Sequence, residues 1–334
     1  MKHLYAVIYF ILFIGGYIVY LITNTTPKLS YYSFRKLFCY TNGKLNSFIV
    51  SLTSVFLPKY KLLQTDGLLG RLTKEEATEI SNEIKENGYK IFDKKLDANE
   101  INKLLSFAYS TPANIIPKPK NAEAKGLYNN QQLLGTRYQF SETDLLTDKT
   151  IQNIVADENF IAIAQEYLGC SPINDIVTMW WSTSYSTQAS SEAAQLYHFD
   201  MDRFKFLKFF IYLTDVTTDT GPHCYIRGSN GSLPESLRED RRFTDKEISN
   251  AYKKEDLVEI CGNKGTIIAV DTRGLHKGKP LKQGERLIFQ VEFCTDSFGQ
   301  VFHKTYLNNG IEDSFLKVKK KYTNTFRRFI MNNK

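Results

Sequence analysis

Histidine is scarce in this chain, five in 334 residues, and His198 stands where it could do chemistry with a neighbour. His198-Phe199-Asp200 sets an imidazole and a carboxylate two residues apart. In an extended segment residues i and i+2 point to the same face, so the two groups converge on one point. A third ligand from a distant strand would complete a two-histidine, one-carboxylate set, the facial arrangement that leaves three positions open on Fe(II). His276 is the best candidate, since it lies just past the apolar run TIIAV in the loop AVDTRGLHKG. Ten residues later Arg286 opens an alternating strand. A lone guanidinium facing a roll interior is costly unless it meets an anion. Its planar fork suits a carboxylate in bidentate geometry. The set reads as two histidines, one aspartate, and an arginine placed to hold an acid beside a metal.

The elements that must position these residues are mostly strands. From about residue 150 a helix (151–168) precedes β-type runs at 176–185, 206–216, 223–226, 257–260, 266–270 and 286–293. Asp219–Pro222, Arg227–Gly231 and Gly262–Gly265 supply the turns between them. Many short strands with few helices between them predict a double-sheet roll or sandwich over a βαβ layout. Upstream, 73–87 reads as a polar helix stopped at Gly88. A short strand follows (89–92), then a helix from 98 opened by Asp97-x-x-Glu100. The stretch 112–135, rich in Pro, Lys and Asn, reads as a long loop, either functional, as a lid over a site, or disordered.

Composition excludes disorder, collagen and a disulfide scaffold, with 19 Gly, 9 Pro and five scattered Cys. The net charge of +7 is unevenly placed. Residues 1–65 hold seven bases and no acid, 306–334 carry +5, and the body 66–305 carries −5. A nucleic-acid binder would carry its bases on the folded body; basic ends around an acidic body predict a surface held against anionic lipid. Residues 4–23 are uncharged and mostly apolar. At 1.5 Å per residue they make about 30 Å of helix, the thickness of a hydrocarbon core. With no small-x-small cleavage site after them, they read as an uncleaved transmembrane anchor rather than a signal peptide. The positive-inside rule puts the body in the cytoplasm, by the margin of Lys28, Arg35 and Lys36 over Lys2. The apolar run 45–57 is too short to span and reads as an interfacial or core helix.

The segments HFDMDRFKFLKFFIYLTDVTTDTGPHCYIRGS, GTIIAVDTRGLHKGKP and GERLIFQVEF resemble the phytanoyl-CoA dioxygenase family of Fe(II)/2-oxoglutarate oxygenases. GYKIFDKKLDANEINKLL (88–105) is similar to that family's opening strand and helix. The likeness runs from about 86 to 295. It implies a mainly β fold with flanking helices around a double-stranded β-helix (jelly roll, cupin-like), here with an N-terminal transmembrane helix. It implies Fe(II) on His198, Asp200 and His276, with 2-oxoglutarate and dioxygen as cosubstrates, and Arg286 on the distal carboxylate of 2-oxoglutarate. By the same resemblance Lys208 supplies a further cation near that cosubstrate, and Tyr197 lines the same pocket. Asn230 departs from the family, standing where many members have His, and is expected to serve a structural turn.

The resulting expectation has three parts: an anchor and basic juxtamembrane segment (1–65), a dioxygenase domain (66–305) and a basic tail (306–334). The reaction expected is hydroxylation of an unactivated C–H bond in a small-molecule or lipid-like substrate, because Asp200 occupies the position that related halogenases leave free for chloride. Two other readings compete. A membrane glycosyltransferase could use Asp200-Met201-Asp202 as a D-x-D motif, but 66–195 show no nucleotide-binding βαβ half. A catalytically dead jelly-roll binding module would be expected to have eroded its ligand set. His223 and His303 read as ordinary core histidines, Arg137 as a surface base, Trp180 and Trp181 as core and interface residues, and Lys317–Lys321 as a solvated helix face.

Overall fold

A computed structural model describes residues 2–119, 123–186, 188–307 and 310–332. The chain opens with three helices, α1 (Lys2–Thr23), α2 (Lys28–Thr41) and α3 (Lys44–Ser54). A hairpin of β1 (Gln64–Gly67) and β2 (Gly70–Thr73) leads into α4 (Lys74–Asn87), β3 (Tyr89–Lys95) and α5 (Ala98–Ser110). Next come β4 (Ala113–Ile116), β5 (Lys125–Gly126), β6 (Arg137–Gln139), α6 (Glu142–Leu145), α7 (Lys149–Val155) and α8 (Glu158–Leu168). The remaining strands are β7 (Ile173–Thr183), β8 (Phe206–Tyr212), β9 (His223–Ile226), β10 (Leu257–Ile260), β11 (Thr266–Val270), β12 (His276–Gly278) and β13 (Glu285–Cys294). Helix α9 (Asp245–Ala251) lies between β9 and β10, and the chain closes with β14 (Thr305–Leu307), α10 (Asp313–Lys321) and β15 (Phe329–Met331).

Two antiparallel sheets face one another, in a cupin-like arrangement. The large one runs β3-β11-β8-β13-β7-β6-β4-β5 and the small one β10-β9-β12. Strand alternation sorts the side chains. Leu287, Phe289, Val291 and Phe293 of β13 share the outer core with Leu207, Phe209 and Ile211 of β8 and Val177, Met179 and Trp181 of β7. Helices cover that face; Phe160 of α8 stacks on Phe209 with ring centroids 4.2 Å apart. The opposite residues, Phe210, Tyr212, Ile268, Val270 and Ile288, meet Tyr225 and Ile260 of the small sheet in an inner core. The inner face of the large sheet also presents the polar row that builds the site.

The expected single helix over 151–168 is two. Asp157 interrupts it, its carboxylate accepting from Phe160 N as the N-cap of α8. Thr73 and Glu76 form a reciprocal capping box on α4, whereas Asp97 caps α5 through Asn99 N. The 112–135 stretch contributes the last two strands at one end of the large sheet, β4 and the edge strand β5, so only part of it is loop.

α1 lies along α2 and the body. A Cβ on Gly16 would fall 2.2 Å from Ser30 Cβ, so the missing side chain permits the approach. Ser30 Oγ donates to Phe13 O (3.1 Å). Phe13 and Phe34 pack edge-on against Phe204 and Phe298, and Tyr20 OH bonds Ser297 Oγ at 2.8 Å. α3 adds Asn46 Nδ2 donating to Phe204 O. The far sides of these helices stay exposed: Leu4, Ile11, Leu21 and Ile22 of α1, Leu29 and Tyr32 of α2, Phe48 and Leu52 of α3.

The segment read as a basic tail folds into the body. Phe315, Phe326 and Phe329 join the outer core, β15 pairs parallel with β14, and buried Arg328 donates to Glu142 and Asn174. Lys319 and Lys320 fall in the last turn of α10, where cations suit the helix dipole.

Candidate active site

His198 and His276 oppose each other in a two-residue antiparallel bridge. His198 N donates to His276 O (3.0 Å) and His276 N donates to His198 O (2.8 Å). Two segments nearly eighty residues apart are thereby stitched at the point where both imidazoles emerge. Asp200 N donates to Thr272 O, extending the same pairing. One ligand atom from each of His198, Asp200 and His276 can be chosen so that all lie within 4.8 Å of one another. Asp200 Oδ1 is 3.5 Å from His198 Nε2, and Oδ2 is 3.6 Å from His276 Nε2.

The outer nitrogens settle the tautomers. His198 Nδ1 lies 2.9 Å from Leu196 O and His276 Nδ1 lies 3.0 Å from Gly274 O. A carbonyl only accepts, so both protons sit on Nδ1 and both Nε2 lone pairs face Asp200. Burial lowers the pKa of both rings, that of His198 to about 3, with its histidine partner adding to the effect. Both are neutral at neutral pH, the state a metal ligand requires. Burial opposes ionisation of Asp200, but Lys208, through charge and hydrogen bond, and the two facing histidines together outweigh it and hold the carboxyl below its ordinary range. Two neutral imidazoles and one carboxylate fit a divalent, borderline-soft ion such as Fe(II).

A cavity of about 330 Å³ opens on these groups, between the sheets. Its wall includes the inner-face polar row. β13 contributes Arg286 and Gln290, β7 contributes Thr178 and Trp180, and β6 contributes Arg137 and Gln139. Arg286 is buried and donates to Ser182 Oγ at 3.0 Å, while its Nε and second terminal nitrogen have no protein partner.

His198, Asp200, His276, Lys208 and Arg286, expected from sequence to share a site, are brought together around this cavity. Lys208 Nζ donates to Asp200 Oδ2 (2.7 Å) and lies 3.6 Å from Glu292, so its immediate partner is the metal-facing carboxylate. Tyr197 is a correction. Residues 197 and 199 alternate with 198 and 200, so Tyr197 turns into the apolar cluster with Phe199 and Phe243, and Lys277 lies over its ring. It does not reach the cavity. Asn230 serves the expected turn, donating to Ile84 O and Lys85 O at the end of α4.

Three residues read as ordinary turn out to line the cavity. Arg137 stacks its guanidinium on Trp180, 4.4 Å from the ring centroid. Trp181, the next residue, faces the outer core against Tyr128. His223 projects from β9 with a buried Nε2 lacking any partner. Period-two counting from Arg286 across the sheet would have flagged Arg137 and Trp180, but strand pairing is invisible in one sequence. The D-x-D reading loses its basis, since Asp202 sits in an antiparallel roll and accepts from Gln300 Nε2.

A two-sheet roll that gathers two imidazoles, a carboxylate and a facing guanidinium defines a mononuclear iron oxygenase. The model of the phytanoyl-CoA dioxygenase (PhyH) family matches residues 84–286, more than half of the chain, and the protein belongs to that family. Fe(II), 2-oxoglutarate and dioxygen are accordingly its cofactor and cosubstrates. No curated protein is significantly similar in sequence. Among solved structures, the non-heme alpha ketoglutarate dependent epimerase SnoN from nogalamycin biosynthesis is 16% identical, with a TM-score of 0.47 over 66% of this chain and 83% of that one. The carbocyclase SnoK from the same biosynthesis is 14% identical, with 0.46 over 64% and 82%. EctD from S. alaskensis is 14% identical, with 0.46 over 71% and 82%.

Proposed function

We propose that the protein hydroxylates an unactivated C–H bond, with His198, Asp200 and His276 holding Fe(II) and Arg286 gripping the distal carboxylate of 2-oxoglutarate. The observation that carries this reading is the convergence of both Nε2 lone pairs on Asp200, in a cavity shared with Arg286. Bound iron with 2-oxoglutarate and dioxygen supplies the oxidising power for hydrogen abstraction, and the chain supplies aim and dryness. Leu196 O and Gly274 O fix the imidazoles. Lys208 steadies Asp200, and Ser182 orients Arg286. The carboxylate of Asp200 fills the position that chloride would need, which favours hydroxylation. Incubating anaerobically prepared Fe(II) protein with 2-oxoglutarate and then admitting dioxygen tests it. Succinate is expected from wild type and not from Asp200→Ala; equal succinate from both would exclude this site.

The N-terminal helices support membrane attachment of the enzyme, with the body on the cytosolic side. The apolar length of α1 alone suggests a single crossing; its packing supports an in-plane seat. α1 is bonded to the polar body from Phe13 to Tyr20, and a helix crossing the bilayer would pull that body into lipid. Its opposite side and the outer sides of α2 and α3 offer apolar residues, with Lys28, Lys36 and Lys44 among them and no acid in residues 1–65. That is the layout of an interfacial anchor on anionic lipid. A lipid-like substrate fits this seat, and tethering would raise the enzyme's effective concentration beside it. In sealed vesicles, a protease added outside is expected to remove an N-terminal tag and the body alike; a protected tag with a digested body would instead establish a crossing.

A further inference from the structure

A second cleft, separate from the iron cavity, lies where α3 meets the body. It encloses about 470 Å³, within the range of ligand pockets, roughly 300–1,000 Å³. Its charged lining is four bases and one acid: Lys44, Lys85, Lys205 and Arg273 against Glu166. Glu166 is already paired with Lys59 at 2.5 Å, and Arg273 with Asp271 at 2.7 Å. Among the described residues, the three lysines of the lining have no carboxylate partner. Lys205 is half-buried, and its Nζ donates only to a neutral acceptor, Tyr167 O, at 2.5 Å. Burial, and then the charge of Arg273, hold its ammonium down to about 7. Cations confined in a cleft focus a field that draws an anion. The N-terminus of α3, with Gly43 and Lys44 on the wall, adds the positive end of its dipole.

α3 brings a second kind of group to the same wall. Ser47, Ser51 and Ser54 recur at i, i+4 and i+7 and line the cleft. Their hydroxyls donate to Gly43 O, Ser47 O and Ser51 O of their own helix turn, which leaves the oxygen lone pairs free to accept. One residue on, about 100° around the helix, Phe48 and Leu52 repeat that spacing and are exposed, continued by Val55 past the helix end. The cleft therefore opens beside the apolar strip that the in-plane seat lays on lipid.

We propose that this cleft binds the headgroup of a membrane lipid, one with the chemistry of a phosphorylated polyol. The unpaired lysines meet the phosphate as point charges, and the serine oxygens accept from the polyol hydroxyls. The lipid source rests on the in-plane seat proposed above, whereas the cleft and its charge do not.

The test floats the full chain with phosphatidylcholine vesicles containing either phosphatidylinositol 4-phosphate or phosphatidylserine, matched for total charge. Calorimetric titration with soluble inositol 1,4-bisphosphate reads the cleft without a membrane. Wild type is expected to bind the phosphoinositide vesicles at least tenfold more tightly, and to bind the soluble headgroup. Lys44→Gln combined with Lys85→Gln alters two exposed side chains of the cleft. That variant is expected to lose both the preference and the soluble binding, with Tm unchanged. Lys28→Gln combined with Lys36→Gln removes equal charge from α2 outside the cleft. It is expected to weaken both vesicles alike and to keep the preference. The proposal is overturned if the preference survives the cleft variant, or if the α2 variant loses it as fully. Soluble binding with both vesicles bound equally would overturn the lipid source in favour of a free phosphate ester. Vesicle binding with neither preference nor soluble binding would refute the cleft and spare the seat. Soluble binding with neither vesicle bound would refute the seat and, with it, the lipid source.

Discussion

On the proposed reading, Arg286 is the residue whose removal separates cosubstrate binding from metal binding. Its free nitrogens face the cavity while Ser182 holds the other end, so the fork is set before any ligand arrives. Truncating one partner of a buried charge pair costs about 2–5 kcal/mol. Arg286→Gln is therefore expected to raise the KM for 2-oxoglutarate at least about thirtyfold, with Fe(II) affinity unchanged; a KM within threefold of wild type would remove Arg286 from that role. The buried histidines make a second prediction. His198 is held at about 3, and His223 and His276 are lowered too, with burial the first cause in each. Each titrates near 6.5 when unfolded, so between about pH 3 and 6.5 the unfolded chain binds more protons than the folded one. Stability then rises with pH through that window and levels off above it, with a slope of up to about 1.4 kcal/mol per pH unit for each histidine. Denaturant unfolding of chelator-treated protein checks this; midpoints that stay flat from pH 7 down to 4 would contradict it.

At the scale of elements, the metal site depends on a bridge between the 198 segment and the start of β12, and on the helices behind it. Phe38 of α2 packs on Phe199, the residue between the two ligands, with ring centroids 5.5 Å apart. Phe34, fully buried, contacts Phe13, Phe204 and Phe298. Phe34→Ala is expected to cost about 3–5 kcal/mol, read as a lowered Tm and as faster proteolysis within residues 1–54; a loss under 1 kcal/mol would mean that α1 and α2 are not integral to the body. Much of this layer was legible in the sequence, because strand alternation and turn glycines mark β9, β10 and β11 at their observed bounds. The ligands were legible for the same reason, since H-x-D on extended backbone has one geometry. What was not legible depended on pairing partners. Arg137 joins the site only because β6 pairs with β7, and Tyr197 leaves it because period two assigns it to the other face.

The whole molecule reads as an acidic catalytic body carried on a basic, apolar platform. Arg35 ties the two with a bidentate bond to Asp240 at 2.7 and 2.5 Å, and Tyr20 adds its bond to Ser297. Composition revealed the platform's charge but not its docking, because the buried flank and the exposed flank of α1 are equally apolar. The same limit applied to 306–334, whose lysines and arginines suggested a free tail while its phenylalanines sit in the core. The platform predicts binding to vesicles containing anionic phosphatidylserine that weakens as salt rises from 0.05 to about 0.5 M, since screening shortens the reach of surface charge. Co-sedimentation checks it; binding equal on neutral and anionic vesicles would remove the electrostatic part.

The most direct measurement is anaerobic visible spectroscopy of the full chain during titration with Fe(II) in the presence of 2-oxoglutarate. Ferrous iron chelated by a 2-oxo acid absorbs in the visible, and neither component does so alone. Wild type is predicted to develop that band with one equivalent of iron, and His276→Ala and Asp200→Ala to develop none. A wild-type chain that stays colourless, or variants that colour as strongly, would contradict a shared iron centre at residues 198, 200 and 276.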